Sequence, residues 1–211
     1  MTAILRRVDH LIYTVPNLEV GIREIEELLG VRPAVGGRHP DYGTRNALLG
    51  LGPTTYLEIM APDPELPRPA RGRLFGLDTL ERPRLATWVL RSEEIDDLAS
   101  RAMSHGLDLG PVHPGSREKP DGTVLTWKLT DPYAPRMDGA VPFLIAWGTT
   151  PHPARSAPQA GDLVDLKIEH PNPKAVRSAL GALGVEMPVE VGDRVGLTAV
   201  LQTSVGRVEI R

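Results

Sequence analysis

The sequence predicts an α+β protein in which a βαβββ module recurs three times along 211 residues. The order strand, helix, three strands recurs in each block, and Val15-Pro16-Asn17 of the first block aligns with His170-Pro171-Asn172 of the third. Proline-rich stretches separate the blocks. The expected boundaries are 1–61, 84–148 and 162–211 for the modules, with a linker at 62–83 and a connector at 149–161. A sheet covered by helix on one face leaves its other face bare. Two such sheets, paired, hide both bare faces and enclose a cup, with the helices outside.

Block one opens on residues 7–15. Read with period 2, this strand puts Val8, His10, Ile12 and Thr14 on one face and Asp9, Leu11, Tyr13 and Val15 on the other. The second face is apolar enough to take a helix, which directs His10 into the enclosed space. That helix follows at once: Leu18, Ile22, Ile25 and Leu29 form its stripe, Asn17 is its N-cap and Gly30 its C′ residue. Strands are expected at 32–35, 45–51 and 55–60, the last two joined by the turn Leu51-Gly52-Pro53-Thr54. The linker holds Pro62, Pro64, Pro67, Pro69 and Pro83, with at most a helical turn near 74–80.

Block two repeats the order. A strand at 85–91 leads to Ser92, expected to cap a helix bearing Ile95, Leu98, Ala99, Ala102 and Met103 and closed by Gly106. Strands follow at 109–113, 123–130 and 141–147, with Pro120-Asp121-Gly122 as a hairpin turn. Trp88 has helix-facing parity and belongs to the core. Block three is compact: a strand at 163–170, Asn172-Pro173 as N-cap and N1, a stripe of Val176, Leu180 and Leu183, and strands at 188–191, 195–202 and 207–211.

Composition narrows the function. A formal charge of −3 offers no electrostatic reason for nucleic acid or an anionic membrane as partner. The arginines at 68, 71, 73, 82 and 84 sit among prolines without stacking aromatics and read as a solvated linker. With no cysteine, disulfides, thiolate zinc sites and cysteine nucleophiles are excluded, and any metal needs His and carboxylate ligands. Met-Thr-Ala-Ile-Leu-Arg-Arg lacks an apolar signal core and no apolar run is long enough to span a bilayer, so the expected location is cytoplasmic.

Several side chains stand out. Glu58 interrupts the apolar run Tyr-Leu-Glu-Ile-Met, where a buried carboxylate needs His10, an arginine, a metal or water beside it. His39, Thr44 and Asn46 flank a glycine-rich stretch and are candidates for the cup mouth, although Pro40-Asp41-Tyr42-Gly43 is also a plain turn. Arg117 is a candidate partner for a substrate carboxylate, the alternative being an exposed arginine. Trp127 and Trp147 suit a pocket wall or ordinary core. His152, between two prolines, either caps the pocket or fixes the connector, while His105 and His113 read as surface residues.

Taken together, Val8-Asp9-His10-Leu11-Ile12, Gly36-Gly37-Arg38-His39-Pro40, Gly43-Thr44-Arg45-Asn46, Tyr56-Leu57-Glu58-Ile59, Leu125-Thr126-Trp127, Pro142-Phe143-Leu144-Ile145, Trp147 and Pro151-His152-Pro153 resemble the glyoxalase-like domain proteins of the vicinal oxygen chelate superfamily, over nearly the whole chain. The resemblance implies a cup-shaped, partly open mixed sheet in which the first and last strands of a module each give one metal ligand. His10 matches the first position and Glu58 the last, a set suited to Mn, Fe, Ni or Zn acting as Lewis acid on a carbonyl or enolate oxygen. Block two offers no matching pair. Block three offers Asp165 and Glu209, though Asp165, Lys167 and Glu169 alternate as a solvated face also would. The implied activity is lyase, isomerase or dioxygenase chemistry on a small oxygenated metabolite, with the metal or a His10–Glu58 pair stabilising an enolate-like intermediate. The alternative is a non-catalytic protein that binds or sequesters a small molecule. The expected partner is a small-molecule ligand, and a homodimer is compatible with the fold.

Overall fold

A computed structural model describes residues 4–118 and 122–211, without the side chain of Glu118. Modules one and two form one sheet, built from β1 (Val8–Thr14), β2 (Ala34–His39), β3 (Thr44–Gly50), β4 (Tyr56–Pro62), β5 (Arg84–Arg91), β6 (Val112–Glu118), β7 (Val124–Thr130) and β8 (Phe143–Ala146). The strand order is β2-β3-β4-β1-β5-β8-β7-β6. β1 runs parallel to β4 and antiparallel to β5, so the two modules meet at their first strands and the sheet is mixed. Its edges β2 and β6 come into contact, which curls it into a nearly closed cup.

The helices α1 (Leu18–Leu29) and α2 (Ile95–Ser104) cover the outside. α1 buries Leu18, Ile22, Ile25 and Leu29, each such burial contributing about 1.5–3 kcal/mol. The Asn17 side chain accepts from the Val20 N–H at 3.0 Å, and Gly30 ends the helix at φ 75°. α2 departs from expectation. Its N-cap is Glu94, with no side-chain cap, and Ser92 lies outside it, its N–H donating to the Ile145 carbonyl of β8.

Edge strands explain the other differences. β6 runs through Pro114 and β2 through Gly36-Gly37, residues that would weaken a central strand but are tolerated at an edge. Both strands therefore run on past the ends of the expected 109–113 and 32–35, and both also start later, at Val112 and Ala34. Of the expected turn Pro120-Asp121-Gly122, the first two residues lie outside those described, and Gly122 has φ 80°. The linker contributes a 3-10 turn at Leu74–Gly76, inside the expected region.

Block three has the expected element order: β9 (Gly161–His170), α3 (Pro173–Ala182), β10 (Glu190–Val191), β11 (Gly196–Thr203) and β12 (Gly206–Ile210). Its pairing is its own. The order β10-β9-β11-β12 places β9 inside the sheet, whereas β1 of block one lies beside its last strand. This second sheet packs through Leu166, Ile168, Leu197 and Ala199 into the same apolar core that covers the outer face of the first. A separate apolar cluster fills the cup: Ile12, Leu48, Tyr56, Met60, Val89, Leu129, Phe143, Ile145 and Trp147.

Candidate functional site

A bulge in β1 organises the site. Val8 pairs with Leu90 and His10 with Val89, so Asp9 is an extra residue opposite a single step of β5. Strict alternation therefore misassigns two positions. Val8 joins the helix-side core, and Asp9, expected there, turns its fully buried carboxylate towards His10.

Asp9 is an acceptor for four side chains. His10 Nδ1 lies 2.8 Å from Oδ1, and Trp147 Nε1 donates at 3.1–3.2 Å. Arg91 Nε donates at 3.0 Å, and His152 Nε2 lies 3.1 Å away. His152 Nδ1 accepts from the Ala154 N–H, which leaves its Nε2–H to donate to Asp9. Burial alone would raise the Asp9 carboxyl, but the hydrogen bonds and charge of His10 and His152 outweigh it and hold it well below the usual carboxylate range.

With Nδ1–H given to Asp9, His10 presents Nε2 to Glu58 Oε2 at 3.4 Å. The imidazole stacks on Tyr56 at 4.6 Å between centroids and meets the edge of Phe143, so its plane is fixed. Two bare acceptors do not face each other at this distance in a buried site. A proton or a cation belongs between them.

Glu58 stands opposite Ile12 on β4, one strand from β1. Its Oε1 accepts from Asn46 Nδ2 at 2.6 Å, and Asn46 Oδ1 accepts from Gly37 N and from Arg117 Nη1, each at 2.9 Å. His39 Nε2 lies 3.9 Å from Glu58 Oε1, and its Nδ1 is 3.1 Å from Thr44 Oγ1. Burial lowers the His39 pKa, opposed by Glu58 and reinforced by Arg117 and His10. Arg117 is buried, not exposed, and reaches from edge strand β6 to β3, bridging the seam of the cup.

The lining includes His10, His39, Asn46, Glu58 and Arg117 at a polar end and Leu48, Phe75, Phe143, Trp127, Ile145 and Trp147 on the walls. The cavity volume is about 60 Å³, well below the ~300–1,000 Å³ of ordinary ligand pockets. Trp127 and Trp147 pack 5.4 Å apart. Thr44 is buried against His39 and is not itself among the lining residues, and His152 is bound into the Asp9 cluster. Asp165 and Glu209 lie on the second sheet, both in register with Val200, and are not brought together with His10 and Glu58. Glu209 there pairs with Lys167 and Arg211. His105 is exposed and His113 half-buried.

Two residues of consequence are not among the candidates named from the sequence: Asp9, displaced by the bulge from the face that alternation gives it, and Tyr56, which alternation does place on the Glu58 face and whose ring carries His10. An aspartate assigned to an otherwise apolar helix-facing side was the available signal for the first. In donor type His10 Nε2 and Glu58 Oε2 suit a divalent ion. In number they fall short, since among the described residues no three His, Asp or Glu are grouped to hold one.

Two outcomes follow locally. A Cβ on Gly36 would overlap Asn46 Oδ1 and Arg117 Nη1. Gly36→Ala is therefore expected to part that bridge and cost about 1–3 kcal/mol, read as a fall in Tm of a few degrees. For His39, a folded pKa below the unfolded 6.5 means that the unfolded chain binds more protons. Stability then declines as pH drops below 6.5, by at most about 1.4 kcal/mol per pH unit. His39→Gln should flatten that slope in denaturant titrations at pH 5 to about 7.

Residues 8–184 match the model of the Glyoxalase-like domain family. A hypothetical protein from Staphylococcus aureus superposes with a TM-score of 0.63 at 16% identity, covering 97% of this chain and 85% of that one. It shares the fold. Methylmalonyl-CoA epimerase from Mycobacterium tuberculosis aligns at 22% identity and a TM-score of 0.43, over 69% of this chain and 89% of that chain. No curated protein sequence matches the chain. Among the described residues, no helix is long and apolar enough to cross a membrane.

Proposed function

Because the chain belongs to the glyoxalase-like domain family of the vicinal oxygen chelate superfamily, we propose that its cup performs acid–base chemistry on a small oxygenated metabolite. The supporting observation is the pair His10–Glu58, oriented from behind by Asp9 and from the side by Asn46. Glu58 Oε2 takes the proton from a carbon next to a carbonyl, while Asn46 steadies its other oxygen. His10, its Nδ1–H given to Asp9, carries a proton at Nε2 to the carbonyl oxygen, and the apolar walls keep water from competing.

A second reading keeps a divalent ion, Mn, Fe, Ni or Zn. A carboxylate on the far nitrogen, as Asp9 is on His10, is how proteins commonly orient a metal-bound imidazole. His10 and Glu58 would hold the ion, which would supply Lewis acidity towards a carbonyl oxygen. Elemental analysis of wild type and His10→Ala, both purified without chelator, separates the readings. Metal present in stoichiometric amount and lost with His10 favours the ion; none in either favours the proton pair.

The direct test is proton exchange in D₂O, followed by NMR over a library of small ketones and 2-oxo acids. Exchange that disappears in Glu58→Gln supports catalysis. Saturable binding without exchange would point instead to a protein that binds or sequesters its ligand.

A further inference from the structure

Arg136 is buried, with 7% of its surface exposed, and none of the catalytic groups touches it. Its Nη2 donates to the Pro132 carbonyl at 2.8 Å and its Nε to the Ala134 carbonyl at 3.4 Å. Nη1 has no hydrogen-bond partner among the described residues. The nearby carboxylate, Asp131, is engaged elsewhere, by Arg71 Nη2 at 3.0 Å and the Tyr133 N–H at 2.9 Å. Burial draws the guanidinium pKa down to about 10, opposed by Asp131. A buried cation that lacks an anion costs several kcal/mol, so an anion at Nη1 has much to gain.

Arg136 also lies one aromatic layer from the cavity. Its guanidinium sits 5.0 Å from the centroid of Phe143 and 5.9 Å from that of Phe75, and the two rings stack on each other at 6.2 Å. Phe143, Phe75 and Pro132 all line the cavity. Phe75 is held at φ 57°, and Met137 and Asp138, which follow Arg136, at φ 49° and 53°. Among the described residues these are the non-glycine positions with positive φ, and they sit in the two segments that meet at Arg136.

We propose that Arg136 binds a carboxylate of the substrate once Phe75 swings aside, so that the metabolite presented to His10 and Glu58 is an organic acid. Displacing Phe75 joins the small cavity to Nη1 and makes room for the molecule. The inference rests on the acid–base reading of the same cup, but its test is separate because it reads binding, not turnover.

The probes are 2-oxobutyrate, its uncharged analogue 2-butanone, and chloride, titrated calorimetrically into wild type, Arg136→Met, Arg136→Lys and Phe75→Gly in low-chloride buffer. Wild type is expected to bind 2-oxobutyrate saturably, and Arg136→Met to weaken it by at least about 30-fold. Arg136→Lys, which keeps the charge but loses the planar fork, should fall between. Glycine accepts the φ of Phe75 without strain, so Phe75→Gly should speed association of the acid. Butanone should bind weakly and ignore Arg136.

Equal binding of the acid by wild type and Arg136→Met would overturn the proposal, as would butanone binding as tightly as the acid. So would the absence of acid binding to wild type, or a site that takes chloride and leaves 2-oxobutyrate in solution. An association rate unchanged in Phe75→Gly would sink the route past that ring. Arg136-dependent binding without deuterium exchange at C3 keeps this proposal and defeats the acid–base reading. Exchange of butanone protons independent of Arg136 does the reverse.

Discussion

Glu58→Gln is expected to slow proton exchange on the bound substrate by about 10²- to 10⁴-fold while leaving the far-ultraviolet circular dichroism unchanged. The amide keeps the volume of the side chain, and its carbonyl oxygen can still accept from Asn46 Nδ2. What it loses is the ability to take up a proton. Its NH₂ would donate to His10 Nε2, the atom now 3.4 Å from Oε2, and fix a proton on the wrong partner. Exchange at the wild-type rate in a folded Glu58→Gln protein would remove Glu58 from the chemistry.

Asp9→Asn should be nearly as damaging to exchange and more damaging to the fold. The donors around Asp9 are His10, Trp147, His152 and Arg91, and an amide can offer its NH₂ to none of them. Either one arm of the cluster breaks or the His10 proton moves from Nδ1 to Nε2, because His10 loses the carboxylate that fixes its tautomer. Removing one partner of a buried charged cluster costs about 3 kcal/mol or more, equivalent to a fall in Tm of roughly 6–12 °C in a chain of this size. The sign with pH follows from the lowered carboxyl. Its stabilisation is complete above the ordinary value of 3.8 and is lost as pH falls through the depressed folded value. Wild type should therefore exceed Asp9→Asn in stability throughout pH 5 to 8, protonation of the Asp9 carboxyl itself removing the margin only in strong acid. A margin that vanished at pH 6 would contradict the assignment.

Much of this molecule can be read from its residues, for identifiable reasons. The helical stripe Leu18, Ile22, Ile25, Leu29 and its caps depend on local spacing, and α1 forms where that spacing ends. His10 and Glu58 meet because parallel β1 and β4 set Ile12 opposite Glu58, as the resemblance implied. Asn46, His39 and Arg117 join them from the two strands flanking the seam and from β3.

What stayed hidden depends on long-range pairing. A bulge is a mismatch between β1 and β5, more than 70 residues apart in sequence, and no pattern within β1 announces it. The same holds for β9, whose place inside its sheet is set by partners that follow it in the chain. Pro114 and Gly36-Gly37 looked like strand ends because edge position is a property of the assembled sheet. Arg136 was invisible for a related reason: the Phe75 and Phe143 rings that its guanidinium packs against come from distant parts of the chain.

The orientation of one imidazole underlies all of this, and ¹⁵N NMR of the His10 ring reads it directly. If Asp9 holds the ring as described, Nδ1 carries a proton throughout the pH range in which the protein stays folded, and that proton moves only in Asp9→Asn. A neutral ring protonated at Nε2 with bare Nδ1 would set two acceptors against each other at Asp9, and Asp9 would not be the group that orients the imidazole on which the proposed chemistry depends.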